Sequence, residues 1–462
     1  FMRKKLLNLC LMMLLSICST VAYALDKVDG VYQIGSVDDW KSFAEIVNGG
    51  ETYACAALTA DIDLGIDLPE LGTDNFPFRG ILDGKGHTIT INAYPEWESG
   101  EHGSAIITRF QGNALVKDLK VQGTITTSQK YACGIVAKGR GTVRGCWIDL
   151  TVKSSIDGDA THGGVIGVPD EGALVEDCLV KITIEGATTA NCGGIYGWCS
   201  GQVTAANNLI INDGNFNLTN NGSATIGRNG GNLTTVPLEK YNEDPYANRP
   251  HGCNYNNYAT TAWNDVKNGA VTIVGADALK SGQICYQLNN DQTAIKWLQN
   301  IDEDEYPVPA AFAQGKKQVY ASGATGCNGK PDAEAEVELT YSNEGTANAT
   351  AHTIDQFGVC TTCGKMLYEK LERDITDNSF IVNSLEDFIY LEGVNRSQNG
   401  GWFNISLNAD IEYTSEAPGR MIFNNDNWFS GNLDGHGHTI TINYVDAPQP
   451  AGLFPNSRAS VR

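Results

Sequence analysis

The chain has 462 residues, with 54 acidic against 32 basic side chains and a formal net charge of −22. Such a charge argues against nucleic acid and anionic membrane surfaces as partners. With 51 glycines, 42% hydrophobic residues and only 19% charged ones, the composition excludes a disordered acidic tail and points to a folded, β-rich chain of about three domains.

The N-terminus sets the compartment. Arg3, Lys4 and Lys5 precede an apolar stretch from Leu6 to Cys18, and Ala22-Tyr23-Ala24 puts small residues where a signal peptidase reads. Residues 1–24 are therefore expected to be a secretory signal peptide. Their removal takes away three basic residues and no acidic one, which deepens the net charge from −22 to −25. The apolar stretch is short for a stop-transfer span, and no later run is long enough to cross a membrane. An exported protein, extracellular or at the cell surface, without an integral membrane span in the mature chain is expected.

A short strand at Tyr32–Ile34 opens the mature chain. Ser36 and Asp39 then form an N-cap pattern, and Trp40, Phe43, Ala44 and Val47 fall on one helical face before Gly49-Gly50. This helix is expected to cover the open first turn of a stacked fold. Strands are predicted around Leu58–Leu64 and His87–Asn92. The string LDGKGHTITIN at 82–92 returns as LDGHGHTITIN at 433–443, differing only at Lys85 and His436. Phe78, Gly80 and ALTADIDL at 57–64 correspond to Phe429, Gly431 and SLNADIEY at 406–413. Ser384, Asp387, Phe388 and Leu391 repeat the helix pattern. One cassette is used twice.

Asp83 and His87 have the spacing of an acid orienting a base, but they sit in an Asp-Gly-x-Gly turn, where Asp bonds backbone amides. Their recurrence at Asp434 and His438 favours turn chemistry. Asp61 and Asp63, matched by Asp410 and Glu412, lack the spacing of a known Ca²⁺ loop.

A second repeat follows the first cassette. Val116, Val143, Val175 and Val203 recur as anchors, with glycine patches at 134–136, 163–166 and 193–196 between them. Each period holds about three short strand-like runs, enough for one turn of a parallel β-helix. Cys146 and Cys178 share a place in successive turns, with Leu119 and Ala206 as their equivalents, and read as an inward stack of small hydrophobes. A Cys192–Cys199 bridge is open as an alternative to free thiols. Residues 213–260 are rich in Asn and Gly and read as the frayed upper end of the first solenoid, then a loop. Residues 270–320 carry a helical and strand-like apolar set, including Cys285, Leu288 and Trp297.

Further on, Cys327, His352 and the knuckle Cys360-Thr361-Thr362-Cys363 have the residue types and spacing of a closed Cys₃His structural zinc site. A disulfide within the same set is the competing reading in an exported protein.

The glycine patches, the Val-x-x-apolar runs and the Leu-Asp-Gly-x-Gly-His-Thr-Ile segment resemble GLUG-motif, right-handed β-helix repeat surface proteins of Bacteroidetes-type bacteria. The resemblance covers roughly 25–235 and 376–462. It implies a mainly β protein: a right-handed parallel β-helix (solenoid) with an N-terminal capping helix, a small Cys/His module and a second, incomplete β-helix start. The expected division is 1–24 signal peptide, 25–235 first β-helix with its helix, and 236–320 loop and solenoid-closing segment. Residues 321–375 form the Cys/His knuckle module, and 376–462 a truncated second cassette.

The expected function is adhesion or contact with a glycan or a host or bacterial surface component, without catalysis. Trp147, Tyr196 and Trp198 are the candidate ligand-binding residues, because aromatic faces contact sugars. The alternatives are a polysaccharide lyase or glycoside hydrolase of β-helix fold, and a structural stalk. An enzyme needs paired acids, or a base beside acids, on adjacent turns, whereas Asp118, Asp149 and Asp177 read as scattered. No catalytic residue is assigned.

Overall fold

The computed structural model describes residues 25–95, 102–186, 189–199, 203–212, 225–228, 243, 254–261, 271–290, 294–322, 339–345, 353–355, 358–362, 371–397, 403–414, 423, 429–446, 452–454 and 460–461. The signal-peptide stretch lies outside them.

Three parallel sheets run along one axis and make a β-solenoid. Sheet A stacks Val31–Ile34, Ala56–Leu58, Ile81–Asp83, Leu115–Lys117, Thr142–Arg144, Leu174–Glu176, Thr204–Ala206 and Asn254–Tyr255. Sheet B contains Ile62–Gly65, Thr88–Ala93, Lys120–Thr127, Trp147–Ser154, Leu179–Glu185, Leu209–Ile211, Asn257–Ala259 and Val271–Ile273. Sheet C begins later, with Ile107–Phe110, then Val136–Gly139, Ile166–Pro169, Tyr196–Trp198 and Gly227–Arg228. Strict alternation explains the closed core. Ile89, Ile91, Val121, Ile125, Ile148, Leu150, Val152, Val180, Ile182 and Ile184 point inward from sheet B and are all buried.

The corner from sheet A to sheet B has a fixed chemistry. Its first residue is Asp118, Gly145, Asp177, Asn207 and Asn256 in successive turns, with φ of 52°, 61°, 55°, 54° and 53°. A left-handed backbone favours Gly, Asn and Asp, so this column explains those residue types without any catalytic role. The second residue points inward and runs Leu119, Cys146, Cys178, Asn208, Asn257. Register places Val175 beside Ala205, so the repeat anchor in that turn is Ala205 and not Val203, and Asn208 rather than Ala206 follows Cys178.

Asn208 and Asn257 form a ladder. The Asn208 side chain accepts from the Cys178 amide (2.9 Å) and donates to the Val175 carbonyl (3.0 Å) and to Asn257 Oδ1 (2.9 Å). Asn208 is fully buried, so its loss strands groups that water cannot reach. Asn208→Ala is expected to lower unfolding free energy by about 3 kcal/mol, read from urea denaturation.

The helix Val37–Asn48 forms as expected. Ser36 Oγ accepts from the Asp39 amide (3.1 Å) and Asp39 returns the bond to the Gly35 amide (3.1 Å), a reciprocal cap. Trp40, Phe43, Ala44 and Val47 are buried against the first turns. Phe43, Phe78 and Phe110 continue the packing as a ring ladder at 6.1 and 6.3 Å. The second cassette repeats the design with the helix Leu385–Ser397, where Ser384 Oγ accepts from the Asp387 amide (3.2 Å). Phe380, Phe403 and Phe429 meet edge to face at 5.4 Å steps.

One placement differs from sequence expectation. The segment 276–321 does not close the end of the stack. It lies across the outer face of sheet B, where Leu279, Ile284, Cys285, Leu288 and Trp297 bury outward-pointing Leu179, Leu209, Ile211 and Tyr258. That outward column is apolar and requires cover. The second cassette has its own core and docks on the outer face of sheet A. Asn378 Nδ2 donates to the carbonyls of Arg79 (2.9 Å) and Asn113 (2.7 Å), and Arg373 donates to the latter (2.8 Å). Cys55, Ile81 and Leu115 are buried on this face.

Candidate functional site

The duplicated motif resolves first. His87 Nδ1 lies 3.2 Å from Asp61 Oδ1, which also accepts from the Thr88 amide at 2.9 Å. His438 and Asp410 repeat the pair at 3.2 Å, with the Thr439 amide at 2.8 Å. Asp83 takes the Lys85 amide (3.0 Å), as Asp434 takes that of His436 (3.0 Å). His87 is thus joined to Asp61 rather than to Asp83, and both copies use these groups to shape the turn into a strand.

A charged row crosses the outside of sheet A that sequence reading did not assemble. Asp83, Lys117, Arg144 and Glu176 are register neighbours. Lys117 Nζ sits 2.8 Å from Asp83 and 3.6 Å from Asp118, and Arg144 Nε donates to Glu176 at 2.6 Å. Burial raises the Asp118 carboxyl above its ordinary value. Burial also pushes Asp83 up, but its bonds to Lys117 and Lys85 outweigh that and hold it low. Each charge in the row answers a charge on a neighbouring turn, which is how a stacked sheet tolerates ionic groups at close spacing.

The three candidate aromatic residues do not converge. Trp147 lies on sheet B, with the Lys120 ammonium 4.3 Å from its ring centroid and Phe312 edge-on at 5.9 Å. Tyr196 is fully buried inside sheet C, donating to the Thr204 carbonyl at 2.5 Å. Trp198, also on sheet C, is 37% exposed. Of the expected zinc ligands, Cys327, His352 and Cys363 lie outside the described residues. Cys360 is buried, and its backbone bridges to Ile354. Among the described residues no group of three or more His, Cys, Asp or Glu is placed to hold a metal ion. The described cysteines are buried, Cys192 and Cys199 included. Burial pushes the Cys133 and Cys192 thiols up to about 12, which makes them poor nucleophiles.

Two shallow grooves lie elsewhere, at the corner where sheet B ends. Tyr94 follows strand Thr88–Ala93 and is 62% exposed. It separates them. One, of about 460 Å³, is lined by Tyr94, Pro95, Thr126, Ser128, Lys153, Ser155 and Glu185. The other, of about 570 Å³, is lined by Tyr94 with Lys41, Glu45, Asn48, Ile66, Asp67 and Glu70. The first is made by the ends of three successive sheet B strands, whose register places Lys153 beside Thr126 and Glu185. The second runs between the helix and the loop after strand Ile62–Gly65. An exposed ring beside hydroxyls and carboxylates is suited to bind a flat, hydroxylated ligand. The signal for it was present in the alternation Thr88-Ile89-Thr90-Ile91-Asn92-Ala93-Tyr94, which sends Tyr94 outward.

The strand pairing defines a parallel β-solenoid carrying an open aromatic corner. No family model matches the chain. A stretch of 91 residues, 20% of the chain, is 29% identical to part of Halomucin from Haloquadratum walsbyi, and spans 1% of that protein. A solved structure described as a "putative immunoglobulin A1 protease" from Bacteroides ovatus aligns with 62% of this chain and 94% of its own, at 15% identity and a TM-score of 0.34. That superposition is loose, so the fold rests on the strand register itself. No described helix is long and apolar enough to cross a membrane.

Proposed function

We propose that this is an exported, surface-exposed β-solenoid of the GLUG-repeat kind that contacts glycans without cleaving them. The observation that carries this reading is Tyr94, an exposed ring set between two polar grooves. A sugar chain crossing the corner would lay an apolar ring face on Tyr94 and meet hydroxyl and carboxylate groups on either side. The leader-like residues 1–24 support export.

The test is a glycan array probed with the mature chain, followed by titration of the best ligand. Tyr94→Ala is expected to weaken that ligand at least about tenfold, as loss of a central aromatic contact does. An array without any binder, or an unchanged affinity in the variant, would refute the assignment.

A further inference from the structure

The two grooves beside Tyr94 differ in charge, and the difference specifies a ligand. In the groove along sheet B, Lys153 and Glu185 are register neighbours and balance each other, with Thr126, Ser128 and Ser155 supplying hydroxyls. Among the described residues, the groove along the helix carries Glu45, Asp67 and Glu70 against a single cation, Lys41. Lys41 reaches only Asp67, at 3.8 Å and with both side chains well exposed. Glu70 has His102 Nε2 at 3.3 Å. Burial lowers the pKa of His102; Glu70 pulls it back and Arg109 pushes it further down. Burial thus works against a full positive charge on the imidazole beside Glu70. Ile66, 67% exposed, adds an apolar side chain to the lining of the same groove.

We infer that the groove along the helix selects a protonated amino sugar, while the groove along sheet B takes a neutral residue of the same chain. This rests on the glycan reading of Tyr94 above. Charge complementarity decides the class: three carboxylates around one engaged lysine favour an ammonium group and repel uronates, and the chain's net charge of −22 reinforces that choice. A basic peptide could supply an ammonium as well. It would not use the hydroxyl-lined groove on the other side of Tyr94, which is why the sugar is favoured.

The experiment is isothermal titration of the mature chain with glucosamine hexamer and N-acetylglucosamine hexamer at pH 6.5, in low and high salt, with an oligolysine peptide in parallel. The glucosamine hexamer is expected to bind about tenfold more tightly than its acetylated counterpart, with the preference shrinking as salt rises. Glu45→Gln/Glu70→Gln should erase the preference and leave affinity for the acetylated hexamer unchanged, whereas Tyr94→Ala should weaken both. Equal or tighter binding of the acetylated hexamer overturns the amino-sugar inference, as does tighter binding of the oligolysine. If neither hexamer binds while the array shows Tyr94-dependent binding of another glycan, the inference fails and the glycan reading stands. If no glycan binds at all, both fail.

Discussion

Gly139→Ala should lower the unfolding free energy by about 4 kcal/mol or abolish soluble expression, one of the larger losses available from a single methyl group in this chain. Gly139 ends strand Val136–Gly139 of sheet C, at φ +123°. A Cβ built there would lie 1.8 Å from the Phe110 carbonyl oxygen of the preceding turn. Neither partner can yield. Phe110 belongs to the ring ladder that links the helix to the stack, and Gly139 pairs with both Phe110 and Pro169. The backbone of adjacent turns is fixed at sheet spacing, so relief requires opening the ladder. Gly275→Ala is the control, because a Cβ at that position meets nothing within 4 Å. Urea denaturation of the two variants checks the expectation. Equal midpoints would mean that sheet C yields more easily than its register implies.

Mild acid should destabilise the solenoid, and His162 should account for a separable share of that loss. His162 is fully buried, and burial depresses its pKa to about 3. Its Nδ1 accepts from the Ala132 amide (3.1 Å), which requires that nitrogen to be bare. Nε2 must then carry the proton and donate to Ser154 Oγ at 2.9 Å. The unfolded chain takes up a proton on this histidine near its ordinary value of 6.5, whereas the folded chain resists until about 3. The unfolded state therefore binds more protons throughout that interval. The stabilisation is fully present above about pH 6.5 and is lost as pH falls toward 3, with a total on the order of 4 kcal/mol. Stability measured from pH 7 to pH 4 should fall more steeply in the native chain than in His162→Gln. Parallel profiles would show that the buried imidazole does not govern acid sensitivity.

Periodic features were legible in the sequence, and contacts between distant segments were not. The helix Val37–Asn48 and its buried face follow from Ser36, Asp39, Trp40 and Phe43 alone, because capping and 3.6-residue spacing are local. The doubled cassette was equally plain, since the string at 82–92 returns at 433–443, but the pairing of His87 with Asp61 instead of Asp83 was not, because the two lie on different turns. Register in the fourth turn was not readable. Val203 and Ala205 are both apolar and two residues apart, so either satisfies the alternation, and only the neighbouring strand decides. The candidate site shows the same divide. Alternation sends both Tyr94 and Trp147 outward, but whether an outward ring stays open depends on what crosses it. Phe312 packs edge-on against Trp147 from a segment far along the chain, while Tyr94 remains 62% exposed. Nothing near Trp147 in sequence announces that cover.

The left-handed corner between sheets A and B has a consequence for how the molecule can diversify. From the fourth strand of sheet A onward, successive turns pass that corner through the same short step: Asp118-Leu119, Gly145-Cys146, Asp177-Cys178, Asn207-Asn208. The opposite corner, from sheet B to sheet C, is bridged by 94–106, 128–135, 155–165 and 186–195, no two of equal length. One edge of the solenoid thus acts as a binding spine that fixes pagination, and the other as a free margin. Insertions at the margin alter surface chemistry without disturbing inward columns, because pairing is re-established at the next sheet C strand. Tyr94 stands on that margin, where a lineage could rewrite ligand preference turn by turn while inheriting the spine unchanged.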